Sequence, residues 1–333
     1  LNYEIDSVDK TDYPELAKFL HQFPDQNRTL DEWQQLINYR WEENPAFYEG
    51  FPRGVVLRSG KKIVGFTGNI PTRMLWNGKE ELVSNGTSWF VIPQFRKYSI
   101  DLFFKRMEII KDYVYFNSTA IDVVKKLLTT LKFQKYNCAN CHYEYYGYPG
   151  KYLKYPVRKT LLYLHKFLIR LLIASRTKRN SSISIERIQT SDIDDEIDLL
   201  WERTKHKYLF TNIRDSRYLR WISQRMEIFY IKKDSRLLGF FVMHKSKYSY
   251  TLVDIWGEDI NRYAEHIILY LLRQTPGYNI KIPAYDEDLI KAGKKCLLIP
   301  RKKDSGGFCH IGNNTPLLQD RSYLTMLQGD YGL

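Results

Sequence analysis

Val55-Val56-Leu57-Arg58-Ser59-Gly60-Lys61-Lys62-Ile63-Val64-Gly65-Phe66 is written a second time, 174 positions on, as Phe229-Tyr230-Ile231-Lys232-Lys233-Asp234-Ser235-Arg236-Leu237-Leu238-Gly239-Phe240. Each copy is a pair of apolar runs flanking Gly, Asp or Ser, the pattern of a β-hairpin. Working outward, Val8-Asp9-Lys10-Thr11-Asp12 with Leu16 and Phe19-Leu20 returns as Ile188-Gln189-Thr190-Ser191-Asp192 with Glu196 and Leu199-Leu200. Tyr39-Arg40-Trp41 returns as Leu219-Arg220-Trp221. These two blocks recur at an offset of 180, as if one loop had lost six residues before the hairpin. Three blocks in the same order at nearly one spacing mark a duplicated unit.

Each unit opens with an acidic or hydroxyl cluster ahead of an amphipathic stretch, which predicts a capped helix start. In the first unit, residues 81–92 read as a strand ended by Pro93, and 100–112 as a helix with apolar Leu102, Phe103, Met107 and Ile110. A short buried strand at 113–116, a helix at 120–131 and a strand from 133 complete the order. The expected fold class is α/β with a mixed sheet, in two tandem domains. A chain of 333 residues suffices for two cores. We place the domains at 1–150 and 183–333, joined by a basic segment at 151–182.

That segment is distinctive. No acidic residue occurs between 145 and 185, whereas Lys151, Lys154, Arg158, Lys159, Lys166, Arg170, Arg176, Lys178 and Arg179 do. Its middle is amphipathic, and it ends in Arg176-Thr177-Lys178-Arg179-Asn180-Ser181-Ser182, a linker composition. Two readings stay open: a connector helix packed across both domains, or a helix on an anionic membrane surface.

Apolar residues at 44% and charged residues at 27% describe a folded globular chain. The 26 tyrosines fit clefts for polar ligands as well as a compositional habit of the source genome. A net charge of +13 attracts nucleic acids, anionic lipid heads or small polyphosphates. Nucleic acid is the least expected, because the basic residues concentrate in one segment and no recognition motif is present. Cys138 and Cys141 with His142 superficially match a haem-attachment sequence. With no second ligand pair nearby, reduced thiols and no metal are expected. The first residues hold no basic stretch or apolar run, and the most apolar segment, 161–173, is interrupted by His165, Lys166 and Arg170. A cytoplasmic protein is expected.

The element order, the Arg-Trp blocks, the strand running into Pro93 and the closing Arg321-Ser322-Tyr323-Leu324-Thr325-Met326-Leu327-Gln328-Gly329-Asp330 resemble the tandem GNAT acyltransferases. These include the sugar N-acyltransferases of bacterial surface-polysaccharide clusters. The resemblance covers the first unit well and the second more loosely. It implies acyl-coenzyme A as co-substrate, no metal, and transfer to the amine of a dTDP- or UDP-linked amino deoxysugar. Alternatives in the same fold are an aminoacyl-tRNA-dependent transferase, an acyltransferase acting on lipid-linked glycan, and a binding module without chemistry.

The strand 87–92, the loop to Tyr98 and a helix start near Ser99 would present backbone N–H groups at a positive helix end, which suits a pyrophosphate. In the family this loop reads Q/R-x-x-G-x-G/A; here it is Arg96-Lys97-Tyr98-Ser99-Ile100-Asp101. Arg96 matches, Ser99 and Asp101 replace glycines, and Lys97 adds a compensating charge. Asn117-Ser118-Thr119-Ala120 matches an N-x-x-A placed beside the pantetheine arm; a plain helix N-cap is the other reading of Asn117, and the two are compatible. The tyrosine that protonates the leaving thiolate in the family is Val124 here. A backbone N–H around Phe90, Val91 or Ile92 is expected to polarise the thioester.

Ser88 stands where many relatives carry a carboxylate. For a general base, Asp254 leads Glu144, His142 and His310, because an acid inside an apolar strand must find a partner or face a cleft. In the second unit, Trp256-Gly257-Glu258-Asp259-Ile260-Asn261 is acidic where phosphates would sit. That unit is therefore expected to serve architecture and substrate binding. The acceptor would lie between the units, with Arg73, Arg321 and Tyr323 as partners.

Overall fold

A computed structural model describes residues 3–23, 27–147, 156–176, 183–275, 277–311 and 316–327. The first half runs β1 (Glu4–Ser7), α1 (Tyr13–Leu20), α2 (Leu30–Arg40), β2 (Gly54–Ser59), β3 (Lys62–Trp76) and β4 (Lys79–Val91). It continues with α3 (Ser99–Ile109), β5 (Val114–Asn117), α4 (Asp122–Thr130) and β6 (Gln134–Tyr146). After α5 (Pro156–Arg176) come β7 (Ile183–Ile188), α6 (Glu196–Thr204), β8 (Phe210–Asn212) and α7 (Ser216–Ser223). Then follow β9 (Glu227–Lys233), β10 (Arg236–Lys245), β11 (Ser249–Gly257), α8 (Ala264–Gln274), β12 (Asn279–Pro283), α9 (Glu287–Lys295), β13 (Ile299–His310) and β14 (Ser322–Tyr323).

Local chemistry explains the starts and turns. Thr29 and Glu32 form a reciprocal capping box at α2, and Asp215 accepts from the Tyr218 N–H at the start of α7. The second hairpin turns on Asp234 and Ser235, both left-handed at φ 50° and 67°, the pair of conformations that matches strand twist in a two-residue turn. The hairpins, the strand into Pro93 and the helices of the first half lie within a few residues of their expected bounds. The segment 151–182 contains helix α5; residues 151–155 and 177–182, including Lys151, Lys154, Lys178 and Arg179, lie outside the described residues, as do 328–330 of the closing block.

The strands follow the order β1-β2-β3-β4-β5-β13-β6-β12-β11-β10-β9-β7. The two halves therefore exchange their long closing strands. β13, from the second half, pairs with β5 (Phe308↔Asn117), while β6, from the first, pairs with β12 (Ile280↔Tyr145). β13 and β6 pair with each other at the centre. A further link comes from β8, which pairs with β3 and, on its other edge, with β14.

The largest apolar cluster spans both halves, from Leu16, Phe19 and Trp33 to Ile267, Leu271 and Leu289. The repeated tryptophans have diverged in use: the Trp41 indole donates to the Asn69 carbonyl at 2.8 Å within its own half, and that of Trp221 to the Tyr39 carbonyl at 2.9 Å across the halves.

Candidate active site

β4 and β5 pair in parallel only at Val83↔Val114, Ser84↔Tyr115 and Asn85↔Phe116. β4 then continues to Val91 while β5 ends at Asn117, so the strands part. A bulge sharpens the divergence. Phe66 faces Phe90 but Gly68 faces Thr87, and Ser88 takes φ 53°. An extra residue of this kind bends a strand and interrupts its ladder. Where the strands part lies a cleft of about 520 Å³. Its lining combines Phe23, Arg28, Trp33 and Arg40 with strand residues 86–90, Arg96 and Arg106 from around α3, and Asn117, Thr119, Ala120, Ile121 and Val124.

Four arginines and no carboxylate line this cleft. Arg106 is 1% exposed and donates to Thr67 Oγ1 at 2.7 Å and to the Tyr115 hydroxyl at 2.6 Å. Its guanidinium lies 5.1 Å from the Phe103 ring centre and 4.6 Å from that of Tyr115. Its Nε has no hydrogen-bond partner, and among the described residues no carboxylate pairs with it. Burial pulls Arg106 below the usual guanidinium range. A buried cation without a counterion is costly, and an anion in the cleft would offset that cost.

Around it, Asn117 donates to the same Tyr115 hydroxyl at 3.0 Å and leaves its own Oδ1 without a partner. Arg40 donates to Ser88 Oγ at 3.1 Å, which lies 3.2 Å from Thr87 Oγ1. Arg28 sits 5.0 Å from the Trp33 ring centre, and burial, with Arg225 nearby, lowers its pKa. Gly86 is required by the packing: a Cβ there would stand 2.1 Å from the Tyr115 hydroxyl oxygen.

Of the expected coenzyme residues, Phe90, Arg96 and Asn117 meet in this cleft, and Val124 lines it where the family's tyrosine would stand. The others are placed differently. Val91 is buried in a cluster with Val55, Leu57 and Phe95, and the Ile92 N–H donates to the Val64 carbonyl at 3.0 Å, so it is not free to polarise a thioester. Lys97, Tyr98, Ser99 and Ile100 do not line the cleft. A 3-10 turn, Pro93–Tyr98, precedes α3, and within it the Ser99 N–H is spent on the Arg96 carbonyl. Tyr98 packs against Tyr3 with ring centres 3.9 Å apart and planes tilted by 32°, Lys97 Nζ lies 4.8 Å from the Tyr98 ring centre, and Ile100 is exposed.

The expected base is also elsewhere. Both oxygens of Asp254 accept from Arg214, at 2.8 and 3.0 Å, with the pair sealed from solvent. A carboxylate so held anchors Arg214 rather than serving a ligand in the cleft. Glu144 accepts from Tyr146 and pairs with Arg301 at 3.8 Å; His310 packs on Phe133, and His142 is buried on β6. None of the three lines the cleft.

The residues expected to hold an acceptor serve the protein itself. Arg73 pairs with Asp215 of the other half and with Glu80 at 3.1 Å, and Tyr323 donates to the Ile255 carbonyl at 2.8 Å. Arg321 has an exposed side chain and accepts the Leu209 N–H on its carbonyl. Cys138 and Cys141 lie three apart on one strand and so point to opposite faces; Cys138 donates to the Thr325 carbonyl, and burial pushes its thiol up to about 12.

Arg28, Trp33, Arg40 and Arg106 were not expected here. Two had a visible signal: Arg40 belongs to a repeated block, and Arg106 follows Leu102 and Phe103 at helical spacing, on the buried face of α3. Arg28 and Trp33 had none.

The second half has the corresponding divergence, with the opposite outcome. β11 and β12 pair only at Ser249↔Asn279 to Thr251↔Lys281, and β11 bulges against β10 beside Asp254. The space beyond is filled by side chains. The Tyr285 hydroxyl contacts the Leu252 and Val253 carbonyls at 3.1 and 2.9 Å, and Arg214 stacks over Trp256 at 4.4 Å.

No protein-family model and no curated protein matches this sequence. Solved structures do match. Saccharomyces cerevisiae N-myristoyltransferase with bound myristoyl-CoA superposes with a TM-score of 0.59 at 13% identity, covering 97% of this chain and 84% of that one. A GCN5-related N-acetyltransferase from Kribbella flavida gives 0.60 at 10% identity, covering 92% and 70%. Another from Anabaena variabilis gives 0.56 at 12%, covering 94% and 73%. The architecture is thus the mixed α/β fold of these structures, a GNAT-like unit built twice in tandem.

Proposed function

We propose that this chain transfers an acyl group from an acyl-coenzyme A to an amine, with the coenzyme held where β4 and β5 diverge. The observation that carries this reading is a cleft open to a ligand that four arginines and no carboxylate line, with Arg106 among them buried without a counterion. A pyrophosphate and a phosphorylated ribose supply the missing negative charge. Arg96, in the 3-10 turn before α3, fits the pyrophosphate. The unpartnered Asn117 Oδ1 fits an amide N–H of the pantetheine arm, and Phe23, Trp33, Phe90 and Val124 offer the apolar wall for an acyl chain.

In the transfer, the amine nitrogen attacks the thioester carbonyl, a C–N bond forms, and the C–S bond breaks with its electron pair leaving on sulfur. A backbone N–H of the bulged strand near Phe90 stabilises the carbonyl oxygen as charge develops. Val124 has no proton to give. The arginines instead stabilise the thiolate, as neighbouring cations do for cysteine, and the proton shed by the amine reaches sulfur through solvent.

The acceptor in this reading is the amino group of a dTDP- or UDP-linked amino deoxysugar for surface polysaccharide, received against the second half. Two features support it: the basic balance suits a second diphosphate, and a weakly basic sugar amine needs orientation more than a carboxylate base, which the cleft lacks. A thiol-release assay pairing several acyl-coenzymes A with a panel of nucleotide-linked amino sugars tests this. Turnover with a sugar is expected. Release with simple amines alone would remove the sugar, and a melting temperature unmoved by coenzyme A would remove the whole reading.

A further inference from the structure

Helix α5 carries an outward face with no protein covering it among the described residues. Its 21 residues contain no acid, and Ile169, Leu172 and Ile173 turn inward to the core. The helix is tied down on that side: a His165 ring nitrogen lies 2.7 Å from the Leu297 carbonyl, and Lys166 donates to the Gly147 carbonyl at 2.6 Å. On the opposite side Leu161, Tyr163, Leu164, Phe167, Leu168 and Leu171 are between 43% and 59% exposed. At 100° per residue they form one continuous stripe, about 15 Å long at 1.5 Å per residue. Arg170 stands exposed along its margin. A soluble face of this size normally marks a contact surface.

Charge selects the occupant. The chain carries a net charge of +13, and nothing between residues 145 and 185 is acidic, while Lys and Arg flank the helix on both sides in sequence. Two copies meeting through this face would set one acid-free, basic helix against another. An anionic bilayer takes the apolar stripe among its acyl chains and the basic margin at its headgroups. The helix does not cross: among the described residues no helix is long and apolar enough to span a membrane.

We propose that α5 lies in the interface of an anionic phospholipid membrane and holds the enzyme against that surface. This rests on the helix alone, not on the acyltransfer reading. The test is co-sedimentation of the full chain with vesicles of phosphatidylcholine, with and without phosphatidylglycerol, beside Phe167→Glu/Leu171→Glu and Arg170→Glu variants. Wild type should pellet with the anionic vesicles and release with salt. The double variant should lose about tenfold or more in partitioning, and the charge reversal about fivefold or more.

Wild type remaining in the supernatant, or the double variant pelleting as wild type does, would overturn the proposal. So would a dimer in sedimentation velocity that the double variant dissociates without any vesicle binding, since the face would then belong to a second copy. Should the double variant misfold by circular dichroism, Phe167→Trp gives an independent reading. A blue shift of its emission on adding anionic vesicles supports the proposal, and an unchanged spectrum overturns it.

Discussion

Tyr39 and Trp221, at the ends of corresponding helices in the two halves, stack with ring centres 4.9 Å apart and planes 17° from parallel, joined by the indole-to-carbonyl hydrogen bond between the same residues. With the exchanged strands β6 and β13, this contact makes the halves depend on one another. Trp221→Phe, which keeps a ring and loses the bond, should cost about 1 kcal/mol, and Trp221→Ala about 3–5 kcal/mol. Urea denaturation followed by circular dichroism should show one transition in each case; two would mean that the halves unfold separately.

Arg106 and Arg96 should separate stability from binding. Arg106→Met removes a buried, uncompensated cation and should change stability by less than about 2 kcal/mol in either direction. Arg96→Ala, closer to the surface, should be nearly neutral. Each should weaken coenzyme A by about tenfold or more in calorimetry. Unchanged affinity in both would empty the cleft of its assigned ligand.

Gly86→Ala forces a methyl group into the Tyr115 hydroxyl and thereby disturbs the support of Arg106. A loss of about 1–3 kcal/mol is expected. Tyr115→Phe in the same chain should recover part of it by removing the nearest atom. A thermal melt of the single and double variants checks this.

Asp254→Asn should destabilise by about 3–5 kcal/mol, because it strands Arg214 in the interior. If Asp254 is only an anchor, the pH profile of turnover measured below the new melting temperature keeps its wild-type midpoints. A shifted acidic limb would restore it as a base.

Asp215 provides the pH test. Burial raises its pKa, but the hydrogen bonds from Arg73 and the Tyr218 N–H outweigh that, so the folded value lies below the usual carboxylate value. A carboxyl lowered by folding contributes stability that is full above its unfolded pKa of about 4 and is lost as pH falls through the folded value. Asp215→Asn, which retains capping ability, should therefore cost about 1–3 kcal/mol at pH 7, with the difference from wild type closing only below about pH 4. A gap that persists at pH 2 would mean that packing, not the ion pair, is responsible.

Much of this was readable from the residues. Hairpin turns, capped helix starts and the strand into Pro93 follow from short-range chemistry, and three cleft residues could be named from the resemblance: Phe90 from the strand before Pro93, Arg96 from the loop after it and Asn117 from the N-x-x-A match. The misplacements share a cause. Asp254, Arg73 and Tyr323 look available in a one-dimensional reading, because their partners Arg214, Asp215 and the Ile255 carbonyl are reached only through the packing of separate elements. Lys97, Tyr98 and Ser99 fell out of the cleft because the chain took a 3-10 turn there, a choice that a loop of ordinary composition does not announce.

The chain alone determined the duplication and the local elements, since periodicity, caps and turns act over a few residues. The tertiary structure alone decided that β13 would pair with β5 and β6 with β12, that Arg28, Arg40, Arg96 and Arg106 would converge on one open divergence, and that Tyr285 would occupy the other. Such outcomes depend on register between segments far apart in the chain, and that register is set by how whole faces pack rather than by any short run of residues.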